Sequence, residues 1–210
     1  YELSIPILVA IWLVEFPVTT ATLGIVVSVG YGLFGVGALP GGVLADRLGS
    51  RTLILACLVG MGLSFLLLSF ASGVLTIAIA LAAWGIAASV YHPSGLSLLS
   101  TGVDNRGSAL DYHGMAGNIG IAFGPLLTEL LLLTFDWRVV TRLLVIPTVV
   151  AIVYAVTTEF DETAAVSGSD TTVEDDLSEE DAVMSLSTFL TDSRALFTVG
   201  FTLAMAVVMM

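Results

Sequence analysis

Apolar and small residues run along this chain in blocks of about twenty, separated by brief polar punctuation. A block of that length, wound as a helix rising 1.5 Å per residue, reaches across the ~30 Å hydrocarbon layer of a bilayer. The pattern predicts the back half of one membrane helix at about 2–13 and full ones at about 22–44, 52–70, 74–99, 107–134 and 138–158, with a seventh beginning near 194. The connections are short: "LVEFPVTTA", "ADRLGSR", "SFASG", "STGVDNR" and "TFDW". One long break, "EFDETAAVSGSDTTVEDDLSEEDAVMSL" at 159–186, is rich in Ser, Thr, Asp and Glu and reads as a solvated linker. Ser178 followed by Asp181 is a capping-box-like start for a short surface helix at about 179–190. The expected organisation is an N-terminal transmembrane bundle at 1–158, an acidic linker at 159–193 and the start of a seventh helix at 194–210. The expected fold class is an all-α polytopic membrane protein. Both ends read as cut, since the chain opens on Tyr1 with half a helix and closes on the unfinished run "FTVGFTLAMAVVMM".

Composition agrees. Hydrophobic residues make up 57% of the chain and charged residues 11%, where a soluble domain carries about a quarter charged residues to wet its surface. The net charge is −12, yet ten of the eighteen acids fall between Glu159 and Asp181, so the acidity belongs to one loop. All six basic residues are arginine. An acidic, lysine-free chain repels nucleic acid, and the excess of acid suits a high-salt cytoplasm. Cys57 stands alone in an apolar run, which excludes an internal disulfide. Two histidines and one cysteine are too few for a structural zinc site, and no metal or cofactor is expected. Arginine position sets orientation. Arg47, Arg51, Arg106 and Arg194 flank one side against Arg138 and Arg142 on the other, which puts the loops at 45–51, 100–107 and 159–186 in the cytoplasm.

The helix faces carry the candidate chemistry. Gly24, Ser28, Tyr31, Gly35 and Gly42 form a stripe in the second helix, and Gly85, Ala88, His92 and Gly95 form one in the fourth. Stripes of small residues let membrane helices approach closely; Tyr31 either packs there or lines a cavity. In the fifth helix Asp111, Gly114, Asn118, Ala122, Pro125 and Glu129 share one face. Acids at membrane depth face a bundle interior or a wet cavity, with Asp111 and Glu129 near the two interfaces and Asn118 nearest the middle. Glu129 faces an outer vestibule or takes part in coupling. His92, ~12 Å inside its helix, is either a proton carrier, with a solution pKa of about 6.5, or a buried residue bonded to the carbonyl that Pro93 frees. His113 reads as interfacial. Pro40, Pro93, Pro125 and Pro147 interrupt four helices, each removing a hydrogen bond.

The turn "GGVLADRLGSR" at 41–51, with Gly42, Asp46, Arg47, Gly49 and Arg51, resembles the loop signature of the major facilitator superfamily of secondary transporters. "DNRGSAL" before the fifth helix, "GNIGIAFGPLL" with Gly124 and Pro125 inside it, and "FDWRVV" at the sixth are similar to that family's patterns, and a long loop after six helices matches its central loop. "YHPSGLSLLS" with "NRGSALDYHGMAGNIGIAFGPLL" resembles the fosmidomycin-resistance branch. Ser50, Leu81, Thr128 and Glu129 depart from residues common in proton antiporters of the family. The resemblance implies the six-helix N-terminal bundle of a facilitator-type transporter, partnered by a second half-bundle of the same protein. It also implies a cytoplasmic gate at the turn: Gly42 lets its helix pack closely, Asp46 meets a helix N-terminus, and Arg51 pairs with Asp46 or with carbonyls at a helix C-terminus. The implied function is secondary active transport of a small organic solute across the plasma membrane, by alternating access and proton-coupled efflux. An uptake symporter and a non-transporting receptor or scaffold of the same fold stay open. No Gly-x-Ser-x-Gly elbow, His-Glu-x-x-His pair or metal-holding aspartate cluster supports an enzyme, and no filter-like loop supports a channel.

Overall fold

A computed structural model describes residues 2–103 and 105–158. The expected linker, surface helix and seventh-helix start lie outside the described residues. Eight helices follow in order: α1 (Ser4–Glu15), α2 (Thr20–Leu48), α3 (Ser50–Leu68), α4 (Val74–Ser89), α5 (Tyr91–Gly102), α6 (Arg106–Leu132), α7 (Trp137–Leu143) and α8 (Val145–Thr157). Helices α4 and α5 run on as one span, Val74–Gly102, and α7 and α8 as another, Trp137–Thr157. Those two, α2, α3 and α6 are each long and apolar enough to cross a membrane, and α1 adds a shorter apolar helix of 12 residues. The all-helical bundle expected from the apolar blocks is present.

The two interrupted spans break for the same reason. Pro93 is the third residue of α5 and Pro147 the third of α8. Neither has an N–H, so the carbonyls four residues back, on Ser89 and Leu143, lose their helical donor. Pro40 and Pro125 behave otherwise. Both lie inside helices that continue past them, so two of the four expected interruptions do not occur.

The side chains are arranged for lipid outside and close packing inside. Val14, Leu39 and Leu133 are each 80% exposed or more, while Trp12, Trp84, Phe65, Leu8 and Ile77 are fully enclosed. The interior also takes Ser4, Ser64, Ser89, Thr128 and Thr141. Such hydroxyls need partners where water is absent. Ser64 donates to the Met61 carbonyl at 2.8 Å, Ser89 to Ile86 at 2.8 Å and Thr141 to Arg138 at 2.9 Å. Thr128 donates to the Gly124 carbonyl at 2.8 Å, and its hydroxyl lies 2.8 Å from that of Ser4, which ties α1 to α6.

The glycine stripes need correction. Gly24, Gly35 and Gly42 of α2 have open space where a Cβ would stand, so the expected stripe is not the packed one. The packed glycines are Gly30, Gly37 and Gly41. A Cβ on Gly30 would meet the Leu81 carbonyl oxygen at 3.1 Å, and one on Gly37 the Ser89 Oγ at 2.5 Å. On Gly41 it would meet Pro93 Cγ at 3.0 Å and Val90 Cα at 3.3 Å. In the fourth span Gly85 packs as expected, its missing Cβ replaced by the backbone oxygen of Gly30.

These contacts set opposite signs for one chemical change. Alanine favours a helix interior over glycine by about 1 kcal/mol, but at Gly85 the new methyl must push backbone aside, and overpacking costs about 1–3 kcal/mol. In the full-length protein in detergent, Gly85→Ala should lower the thermal unfolding midpoint, whereas Gly35→Ala should leave it unchanged or raise it. Equal shifts for both would contradict the α2–α4 contact.

Candidate functional site

The turn that carries the loop signature is tighter than its sequence suggests. Helix α2 continues through Asp46 and Arg47 to Leu48, and α3 resumes at Ser50. Gly49 alone makes the turn, with φ 83° and ψ 143°, a conformation that costs glycine little and other residues much. At 29 residues α2 is ~43 Å long, more than the hydrocarbon layer needs. Asp46 and Arg47, in its last turn, are exposed. Gly42 makes no close approach to a neighbour; Gly41 does so in its place, against the start of α5.

Arg51 takes the second of its two expected partners. Its Nη2 donates to the carbonyls of Ala155 at 2.9 Å, Val156 at 3.3 Å and Thr158 at 2.9 Å. These oxygens close the C-terminal end of α8, where helical carbonyls lack intrahelical donors and partial negative charge collects. The guanidinium therefore ties the start of the third span to the end of the sixth.

Six aromatic rings form an unbroken series through the bundle. Tyr31 stands edge-on to Trp84 at 5.1 Å between centroids, and Phe34 stacks on Trp84 at 5.9 Å. Phe34 lies 5.9 Å from His92, His92 lies 5.2 Å from Tyr91, and Tyr91 lies 6.0 Å from His113. The series passes from α2 to α4, α5 and α6. Tyr31 also donates its hydroxyl to the Glu2 carbonyl, so packing is its structural role here. His92 is exposed, not buried, and its ring is held by neighbouring rings rather than by the carbonyl that Pro93 frees. His113 is half-buried, and its Nε2 lies 3.5 Å from Tyr91 Oη. Gly95 lies beside both: a Cβ there would stand 3.5 Å from Tyr91 Cε2 and 4.0 Å from His113 Cε1, ordinary contact distances.

The expected polar face of α6 is uncovered. Asp111, Gly114, Asn118, Ala122 and Glu129 are exposed and Pro125 is half-buried, while Ala116, Gly120, Gly124 and Thr128 supply the packed face. The polar face does not look into this bundle, as one sequence alternative had it, but away from it. Asn118 donates to the Gly114 carbonyl of its own helix at 2.9 Å.

At the opposite end from Gly49, a cluster not anticipated from sequence ties three connections together. Glu15 pairs with Arg138 at 2.6 Å and accepts from the Trp137 indole N–H. Arg138 lies over the Trp137 ring at 4.4 Å and donates to the Ala71 carbonyl at 3.0 Å. Arg142 donates to Ser69 Oγ at 3.2 Å. Glu15 ends the first apolar block and Arg138 begins the sixth, so alternating spans bring both to one end; that parity was the available signal. Tyr91 had one too, since it follows Trp84 by seven residues on the same helical face. Among the described residues no group of three or more His, Cys, Asp or Glu could hold a metal ion.

Five membrane-length apolar spans, a shorter apolar helix and an uncovered polar face define a polytopic helical membrane protein. The family model for the Major Facilitator Superfamily matches residues 1–210, the whole sequence, and the chain belongs to that superfamily, whose members are transporters rather than enzymes. Comparison with curated proteins finds no match.

The Arg51 cap makes a prediction that separates it from its exposed neighbours. Hydrogen bonds from a charged donor contribute about 1.5–3 kcal/mol, whereas surface changes stay within about 0.5 kcal/mol. Arg51→Ala should lower the unfolding midpoint of the full-length protein, and Asp46→Asn should not. Equal effects would show that the carbonyl contacts contribute nothing to stability.

Proposed function

We propose that this transporter is a secondary active carrier that moves a small organic solute across the plasma membrane by alternating access, exporting it against proton entry. In this reading the described bundle faces a second half-bundle of the same protein, and the solute and protons pass between them. The loops at 45–51, 100–107 and 159–186 face the cytoplasm, with Asp46 at the gate and His92 on the proton path. The resemblance to the fosmidomycin-resistance branch is consistent with export.

The observation that carries the proposal is the exposed face of α6. Asp111, Asn118 and Glu129 lie along it with no described helix over them. A charged side chain left in lipid costs about 2.5–3.5 kcal/mol at the bilayer centre, so a face with polar groups along its length belongs against water or a polar partner. A solute pathway between two half-bundles supplies both. The ring of His92 is exposed as well.

The test is pH-gradient-driven flux of a broad solute panel in proteoliposomes of the full-length protein. Wild type should show flux that collapses with the gradient. Asp46→Asn should keep solute binding and lose turnover tenfold or more, about 1.4 kcal/mol of barrier. His92→Ala should lose proton dependence. Wild type without gradient-driven flux of any solute would overturn the proposal in favour of a receptor or scaffold of this fold.

A further inference from the structure

The uncovered stripe of α6 is rich in hydrogen-bond acceptors and poor in donors. Asp111 and Glu129 are exposed toward its two ends, and Asn118 is exposed near its middle. The partner of Asn118 fixes which way its amide faces. Only the nitrogen can donate to the Gly114 carbonyl, 2.9 Å away, so Oδ1 is the atom that bond leaves over. Pro125 supplies a second acceptor. It lies inside α6 without an N–H, so the Ile121 carbonyl loses its helical donor. That carbonyl is directed along the axis toward Pro125, which follows Asn118 by seven residues and so stands about 20° from the same line. Ile121 is 45% exposed, and Ala122 beside it is exposed. Two main acceptors thus stand about one turn apart halfway along the helix. Asp111 lies ~10 Å from Asn118 toward one end and Glu129 ~12 Å from Ile121 toward the other.

The arginines among the described residues stand elsewhere. Arg51, Arg138 and Arg142 are engaged with oxygens at the ends of the bundle. Arg47 is in the last turn of α2, and Arg106 opens α6 about 140° round the helix from Asp111. Of the histidines, His113 turns toward Tyr91, and His92 stands on α5.

The geometry points to an organic cation with N–H donors, a protonated amine, as the solute that this face takes, its ammonium set between Asn118 Oδ1 and the Ile121 carbonyl. An ammonium has three donors and no acceptor, which complements a stripe of acceptors. Its hydrogen bonds are charge-assisted and stronger than those of a neutral hydroxyl. Asp111 and Glu129 raise its local concentration from either end. A carboxylate would meet like charge and find one spare N–H, that of Asn118.

This inference rests on the reading of the α6 face as a solute pathway, so its test measures binding without a gradient. Full-length protein in nanodiscs at neutral pH is titrated with benzylamine, benzyl alcohol and benzoate, three probes on one carbon frame. Benzylamine should bind about tenfold more tightly than benzyl alcohol, and benzoate more weakly than either. Asp111→Asn with Glu129→Gln should remove most of the preference for the amine. Pro125→Ala suits a helix and restores the N–H that closes the Ile121 carbonyl, with no change of charge. It should weaken benzylamine about threefold, as should Asn118→Leu. Equal affinities, a preference for benzoate or no binding of any probe would overturn the proposal. So would benzylamine binding indifferent to both Pro125→Ala and Asn118→Leu. Amine-selective binding beside flux that ignores the pH gradient would leave this inference standing and refute proton-driven export. Gradient-driven flux of carboxylates alone would do the reverse.

Discussion

Two backbones meet where α2 crosses α4. The carbonyl oxygen of Gly30 occupies the place where any side chain on Gly85 would begin, and a Cβ on Gly30 would in turn meet the carbonyl and Cβ of Leu81. Lipid offers no hydrophobic drive for one apolar helix to leave it for another, so association depends on contacts of this kind. What flanks the contact follows from it. Tyr31 is next to Gly30 and Trp84 next to Gly85, and their rings meet edge-on at 5.1 Å; Phe34, one turn further, stacks on the same indole. The aromatic series that leads to the two histidines therefore starts at the position where two glycines let their helices touch.

The ends of the bundle are fastened by a different interaction. At one end Arg51 donates to three carbonyls that close α8. At the other, Glu15 and Arg138 pair beside Trp137 while Arg138 also takes the Ala71 carbonyl. In both places an arginine satisfies main-chain oxygens left over where a helix stops, which suits a planar cation with five donors. Arg51 and Arg138 are thus among the residues that hold the spans together. Asp46 and Arg47, in the last turn of α2, are exposed.

The spans were legible in the sequence because their signal is the length of an apolar block, and length alone fits a helix to a bilayer. The superfamily was legible in the turn at 41–51 and in the Gly-Pro run of α6. The packed face of α2 was not. Eight glycines lie between Gly24 and Gly49, so spacings of three, four and seven can be drawn through several sets. Only the positions of α4 and α5 decide that Gly30, Gly37 and Gly41 are the buried set. His92 and His113 were each visible, but as separate residues. Their relation runs through Tyr91 and depends on the register of α5 against α6, which no local pattern encodes. The polar face of α6 was read correctly as a face, yet whether it looked into the bundle or away from it depended on where Ala116, Gly120, Gly124 and Thr128 found their partners.

The proline in the fourth span shows why a kink is not by itself a hinge. Pro93 leaves Ser89 without its helical donor, and the span breaks at Val90. A bare break of this kind would let α4 and α5 swing against each other. Here both sides of it are seated on α2: Ser89 against Gly37, and Val90 and Pro93 against Gly41. Bending at Val90 would have to open both contacts, so the break fixes the direction of α5 rather than loosening it. The two glycines that receive it stand four residues apart, one helical turn, and the break they receive lies immediately before Tyr91. The proline thus serves the ring that follows it. It turns the helix so that Tyr91 points into the bundle while His92, one residue on, remains at the exposed face. Motion that serves transport would then belong to the bundle as a unit, with its rings carried along in fixed register.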